Sequence, residues 1–135
     1  MAIQLSVGVR NARLDAIETA IGASAVLRIF TGAPPANTAA ADSGTLLAAL
    51  NLPSDWMAAA ANGSKARNGT WQDLSADATG TPGHFRIYDS AGTTCGMQGL
   101  VSAAGGGGDL IVSSASITAG QSFTVNTFTL NEPSQ

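Results

Sequence analysis

Apolar residues near the start of the chain recur at helical spacing. Val7, Leu14, Ile17 and Ile21 share one face of a helix, Ser6 stands where an N-cap belongs, and Gly22 is a suitable stop. The charges work against this helix, with Arg10 and Arg13 towards its positive end and Glu18 towards its negative end. Such a helix is marginal alone, so the pattern predicts that packing of its apolar face holds it, on its own sheet or on a partner.

After Gly22 the period changes. Residues 25–31 read as a strand that Gly32-Ala33-Pro34-Pro35 stops, and 33–43 read as a long loop. Residues 45–52 suit a strand or a short helix, ended by Pro53. The stretch 56–61 is ambiguous, and Asn62-Gly63 marks a tight turn. Strands are expected at 65–74, 84–89, 94–102, 110–112 and 122–130, separated by turns at 89–92, 105–108 and 116–120. The last has the cleanest alternation, setting Phe123, Val125, Thr127 and Thr129 against Thr124, Asn126, Phe128 and Leu130. Many short strands with Gly, Asn and Asp turns predict a mainly β fold, a β-sandwich or jelly-roll-like domain with one N-terminal α-helix. The expected organisation is a single domain over 1–135, with 1–22 as a strand or helix segment able to dock on a partner and 23–135 as the sandwich.

Composition adds a second expectation. Only 11% of the 135 residues are charged, with one lysine, Lys65, and two glutamates, Glu18 and Glu132, against roughly a quarter in ordinary soluble domains. Ala, Gly, Ser and Thr take their place. A small domain has much surface for its volume, and Lys and Glu are depleted where surfaces meet other proteins. The expectation is a subunit that works against other subunits. A net charge of -3 and six scattered basic residues argue against a nucleic-acid partner. A lone cysteine, Cys95, fits synthesis in reducing cytoplasm. The N-terminus has no signal-peptide pattern and no apolar run nears the roughly 20 residues of a membrane span. The expectation is therefore a soluble chain with no membrane partner.

Catalytic and metal signals are weak. His84 is the sole histidine and would need a nucleophile such as Cys95 in reach; the simpler readings are a polar residue on a sheet face and a small buried hydrophobe. Gly105-Gly106-Gly107-Gly108-Asp109 lacks the Gly-Lys-Ser/Thr of a phosphate loop and suits a connection. Asp42, Asp73 and Asp77 lack calcium-loop spacing and suit turns and caps. Trp56, Trp71, Phe85, Tyr88, Phe123 and Phe128 are expected mostly in the core, Trp56 or Trp71 being the better candidate for an exposed contact. No catalytic residue, metal or cofactor is expected.

Several passages together resemble a family of small virion proteins encoded by tailed bacteriophages. They are residues 1–7 running into Arg10-Asn11-Ala12-Arg13-Leu14-Asp15-Ala16-Ile17-Glu18, then Thr31-Gly32-Ala33-Pro34-Pro35-Ala36-Asn37, Leu52-Pro53-Ser54-Asp55-Trp56-Met57, Gly83-His84-Phe85-Arg86-Ile87 and 117–130. The resemblance covers most of the chain, carries no catalytic motif, and implies a virion structural protein. The expectation within the virion is a capsid decoration, or cementing, protein. It would be made in the host bacterial cytoplasm and bind the outside of the head, with the major capsid protein and copies of itself (a dimer or trimer) as partners. A tail-tube or other tail component is the alternative in the same setting, and a host-glycan-binding module the alternative of another class. The expected partner contacts are Ile3, Leu5, Val7, Leu14, Ile17, Pro34, Pro35 and Trp56.

Overall fold

A computed structural model describes residues 3–132. Helix α1 spans Val7–Ile21; the strands are β1 (Val26–Thr31), β2 (Leu46–Asn51), β3 (Ser64–Ala66), β4 (Gln72–Asp73), β5 (Pro82–Tyr88), β6 (Cys95–Ala103), β7 (Leu110–Val112) and β8 (Phe123–Asn131). The helix ends are as the sequence predicts. The Ser6 hydroxyl accepts the Val9 N–H at 3.2 Å, and the Gly22 N–H donates to Glu18 O at 2.9 Å.

The strands form one mixed sheet in the order β2-β1-β5-β6-β7-β8-β3, with β4 also paired to β8. The sheet curls until its ends meet. The Asp73 carboxylate, on β4, accepts the Ala49 N–H of β2 at 3.1 Å, and the Asp77 N–H donates to Leu47 O at 2.8 Å. The result is the mainly β, sandwich-like fold with one N-terminal helix that the pattern predicts. Its inner faces share one core, centred on Trp71 between Trp56 and Phe128, with ring centroids 6.0 and 5.6 Å apart. Both indole N–H groups are satisfied: Trp56 donates to Gly22 O at 2.9 Å, and Trp71 to Trp56 O and Asn68 O at 3.2 Å.

Three local readings change. The stretch 65–74 divides into β3 and β4, with Trp71 turned inward between them, and 56–61 makes only isolated bridges through Met57 and Ala61. Ala61 and Ser64 exchange two 2.9 Å hydrogen bonds around Asn62-Gly63, the reciprocal pair of a tight hairpin turn. In β8, Thr127 faces Ile111 while Val125 faces Val112, so Asn126 is an extra residue. This bulge flips the inward set: Phe123 and Val125 are buried before it and Phe128 after it, while Thr127 and Thr129 are exposed. Strict alternation sets Phe123 and Phe128 on opposite faces; the bulge puts both in the core.

The glycine run has a steric cause. Strands β6 and β7 run parallel, yet only residues 104–109 join them, where such connections usually need a dozen or more. The chain must fold back against its own strand. A Cβ at Gly108 would stand 2.7 Å from Ser102 N and 2.9 Å from the Val101 carbonyl carbon. Gly108→Ala is therefore expected to cost about 1–3 kcal/mol through forced backbone movement. Chemical denaturation checks this; an unchanged midpoint would show that the loop yields freely.

Candidate functional site

Two regions hold unusual polar chemistry: the underside of α1 and the outer face of β1 and β5.

Helix α1 turns Asp15 and Glu18 towards the body of the protein. The Lys65 ammonium, 2% exposed, reaches Asp15 Oδ1 at 2.7 Å, Glu18 Oε1 at 3.0 Å and Ala58 O at 2.9 Å, one acceptor for each of its three protons. Asp15 and Glu18 also accept the N–H groups of Ala60 and Met57, and Asn11 accepts that of Gly63. Arg13 pairs with Glu132 at 2.8 Å. Burial opposes the charge on Lys65, but the hydrogen bonds and charges of Asp15 and Glu18 outweigh it and raise its pKa. The Lys65 hydrogen bond is the main cause holding Asp15 below the usual carboxylate range. Among the helix residues only Leu14 is buried. These hydrogen bonds hold the helix, together with Leu14 beneath it and Ile21, which packs against the core.

Other apolar and small residues are left outside. Ile3 is 72% exposed, Val7 44% and Val9 47%, and Ala12, Ala16 and Ala20 continue the exposed side of the helix. Leu5 and Ile17 are half-buried. Of the expected partner contacts on this segment, Ile3 and Val7 are open to solvent. Leu14 is buried beneath the helix and is corrected to a core residue. Trp56 is corrected likewise: it is fully buried, because its ring fills the core and its N–H caps the carbonyl of Gly22. Trp71 is fully buried as well.

Loop 33–43, expected to meet a partner, lies across its own sheet. The Gln98 amide donates to Pro35 O at 2.8 Å, and Arg86 donates to Thr38 O at 2.7 Å and Asp42 Oδ1 at 2.6 Å. The Tyr88 hydroxyl donates to the same carboxylate. Pro34 and Pro35 are left half-buried. Strand β5 is buried on both faces, with Phe85 and Ile87 in the core, Arg86 and Tyr88 bonded to the loop, and His84 covered by Phe30.

Arg28 and Arg86 face each other across β1 and β5. Asp42 lies between them, 3.9 Å from Arg28 Nη1, and the Arg28 guanidinium stacks over the Tyr88 ring at 4.4 Å. Burial and the Asp42 hydrogen bond and charge push the Tyr88 hydroxyl up to about 12. Burial opposes the Arg86 charge too, but the acidic groups around it, Cys95, Tyr88 and Asp42, raise its pKa overall. These residues line a cleft of about 290 Å³ with Cys95 and residues 38–41, 92 and 93 at its walls.

The other sequence candidates are dispersed. His84 faces Leu100 and Cys95 faces Tyr88, so about four residues of strand, roughly 13 Å, separate the histidine from the thiol. The His84 ring is sealed, stacked on Phe30, with Nδ1 2.9 Å from Gly32 O. That contact requires the Nδ1–H tautomer. Cys95 is half-buried, its thiol donating to Met97 O at 3.3 Å. The Asp73 oxygens are occupied by the N–H groups of Ser75 and Ala49. Among the described residues, no group of three or more acidic, His or Cys side chains is gathered to hold a metal. Among the described residues, no helix is long and apolar enough to cross a membrane. Every aromatic side chain in the core is buried, so Trp56 and Trp71 offer no exposed platform for a sugar.

The cluster of Arg28, Asp42, Arg86 and Tyr88 escaped the sequence reading because its members lie on three separated segments. One signal for it was present: Arg28, Arg86 and Tyr88 sit at alternate positions of strongly apolar strands, where charge is unusual. Compared with known protein families, curated proteins and solved structures, the chain matches none of them.

Proposed function

We propose that this chain is a structural subunit of a tailed-bacteriophage virion, a decoration protein that attaches to the outside of the head. The observation that carries the reading is the outer side of α1 and the residues before it. Asp15 and Glu18 are engaged in docking, and a strip of small and apolar residues from Ile3 through Val9 to Ala20, with Arg13 as its charge, is left facing solvent. A strip of that kind suits contact with a neighbouring protein. Repetition over a shell turns many weak contacts into firm attachment, and the resemblance of the sequence passages to phage virion proteins gives the setting. The major capsid protein and further copies of the chain are the partners in this reading.

Reconstruction of intact virions tests it, with the chain expected at shell junctions. Stacked hexameric rings along a tail axis would overturn the assignment to the head. Val9→Asp is expected to leave the fold unchanged, since Val9 is exposed, and to lower occupancy on stripped shells severalfold. Unchanged binding would remove the helix strip from the interface.

A further inference from the structure

Within the cleft beside loop 33–43, Asp42, Arg86 and Tyr88 are engaged in holding that loop. Arg28 is not. Its side chain is half-buried, 28% exposed, with the guanidinium open to the cleft, yet among the described residues it makes no hydrogen bond; its nearest carboxylate oxygen, on Asp42, is 3.9 Å away. The group is nonetheless held in place. Tyr88 stacks beneath it, and a Cβ at Gly92 would come within 2.7 Å of Nη2, so the glycine leaves the guanidinium its space. Arg86, 1% exposed, adds a second orphan: its Nε has no partner. A fixed guanidinium with free donors is a preorganised fork for an oxyanion.

We propose that this cleft binds a single carboxylate, received by Arg28 with Arg86 as the second cation. Charge selects the class. Two arginines against Asp42 leave one positive charge, which a monoanion neutralises, whereas a dianionic phosphate would overshoot and meet the Asp42 carboxylate. Shape agrees, because a planar carboxylate matches a guanidinium edge through two parallel hydrogen bonds. Ala39, Ala40 and Ala41 form part of the same wall and bring no further charge to it. The carboxylate comes either from a free small acid or from an acidic side chain of an adjoining protein. The proposal does not depend on the virion reading.

The test is an amide-resolved NMR titration of the full chain with sodium acetate, and with a blocked tripeptide carrying a central glutamate, its glutamine counterpart serving as control. Saturable shifts at residues 38–41, 92 and 93 are expected with the acids and not with the glutamine peptide. Arg28→Gln should weaken them about tenfold or more, the loss of a charge-assisted pair, and Arg28→Lys should restore only part. Tighter binding of the peptide than of acetate assigns a protein side chain, and the reverse assigns a free acid. Absence of saturation with both acids overturns the proposal, as does undiminished binding by Arg28→Gln. Inorganic phosphate binding more tightly than acetate overturns the choice of a carboxylate. The Tyr88 hydroxyl titration, still displaced upward in Arg28→Gln, verifies that the loop remains latched.

Discussion

Lys65→Met is expected to detach α1 from the body of the protein and to cost about 3 kcal/mol, the low end for removing one partner of a buried ion pair. The low end applies because Asp15, with 48% of its side chain exposed, can recover water, whereas Glu18, at 18%, cannot do so fully. Methionine keeps the unbranched apolar body of the lysine and lacks only its terminal ammonium, so the loss mainly reports the charge. The two carboxylates then face each other without a cation, and a 15-residue helix with no acidic residue in its first turn and no basic residue in its last has little stability of its own. Loss of helical circular dichroism and early proteolysis between α1 and β1 are the signatures. The triple variant Lys65→Met, Asp15→Asn, Glu18→Gln should recover most of the loss, since no charge is stranded. A loss below about 1 kcal/mol, the range of an exposed pair, would show that the triad does not hold the helix.

Acid should do to the wild type what the substitution does. The Asp15 pKa is lowered in the folded chain, so its contribution is present above the unfolded value near 3.8 and is lost as pH falls through the lower folded value. The Lys65 pKa is raised, so its contribution is complete below 10.5 and is lost as pH rises through the higher folded value. The helix is thus anchored evenly across the neutral range and released at both extremes. Asp15→Asn should remove the acid-dependent step assigned to this residue.

Asp42→Asn is the second large effect, expected to cost about 2 kcal/mol by leaving two guanidiniums opposed across adjacent strands with no anion between them. Arg86 bears most of this, being buried with its remaining hydrogen bond on Thr38 O. The chain has a single tyrosine, so tyrosinate absorbance reads this site directly. In the wild type the midpoint is expected at about 12. Burial is the largest cause of that displacement and Asp42 the next, so Asp42→Asn should move the midpoint down without returning it to 10.0. An unmoved midpoint would show that the phenol does not donate to Asp42. The same shift carries a stability consequence. Above pH 10 the unfolded chain ionises its phenol while the folded chain retains the proton, so stability should fall by about 1.4 kcal/mol per pH unit until the folded group titrates.

Both predictions concern residues that the sequence reading handled least well, for one reason. Scarcity of charge was visible in the composition, and it suggested a surface that meets other proteins. The structure adds that much of the remaining charge is internal: Lys65, Asp15 and Glu18 secure the helix, and Arg86 and Asp42 secure the loop. Partners separated by 44 to 50 residues leave no local trace. Leu14 and Trp56 stand among the expected partner contacts because nothing local says whether the helix packs on its own sheet or on a partner, or that an indole will donate to the carbonyl of Gly22.

Local physics determined the rest from the sequence alone. Ser6 and Gly22 bound the helix because a hydroxyl and a flexible backbone satisfy the groups a helix end leaves free. Asn62-Gly63 turns because both residues accept positive φ, here 52° and 74°. Alternation and turn residues gave a mainly β fold, since period and chain reversal are properties of a few neighbouring residues. Only the tertiary structure decided which face each element presents: the Asn126 bulge that sends Phe128 inward, the parallel return that requires Gly108, and the docking of α1 on Lys65 through Asp15 and Glu18. Those outcomes depend on what lies opposite each residue once the sheet curls, and burial and pairing across long loops are settled there.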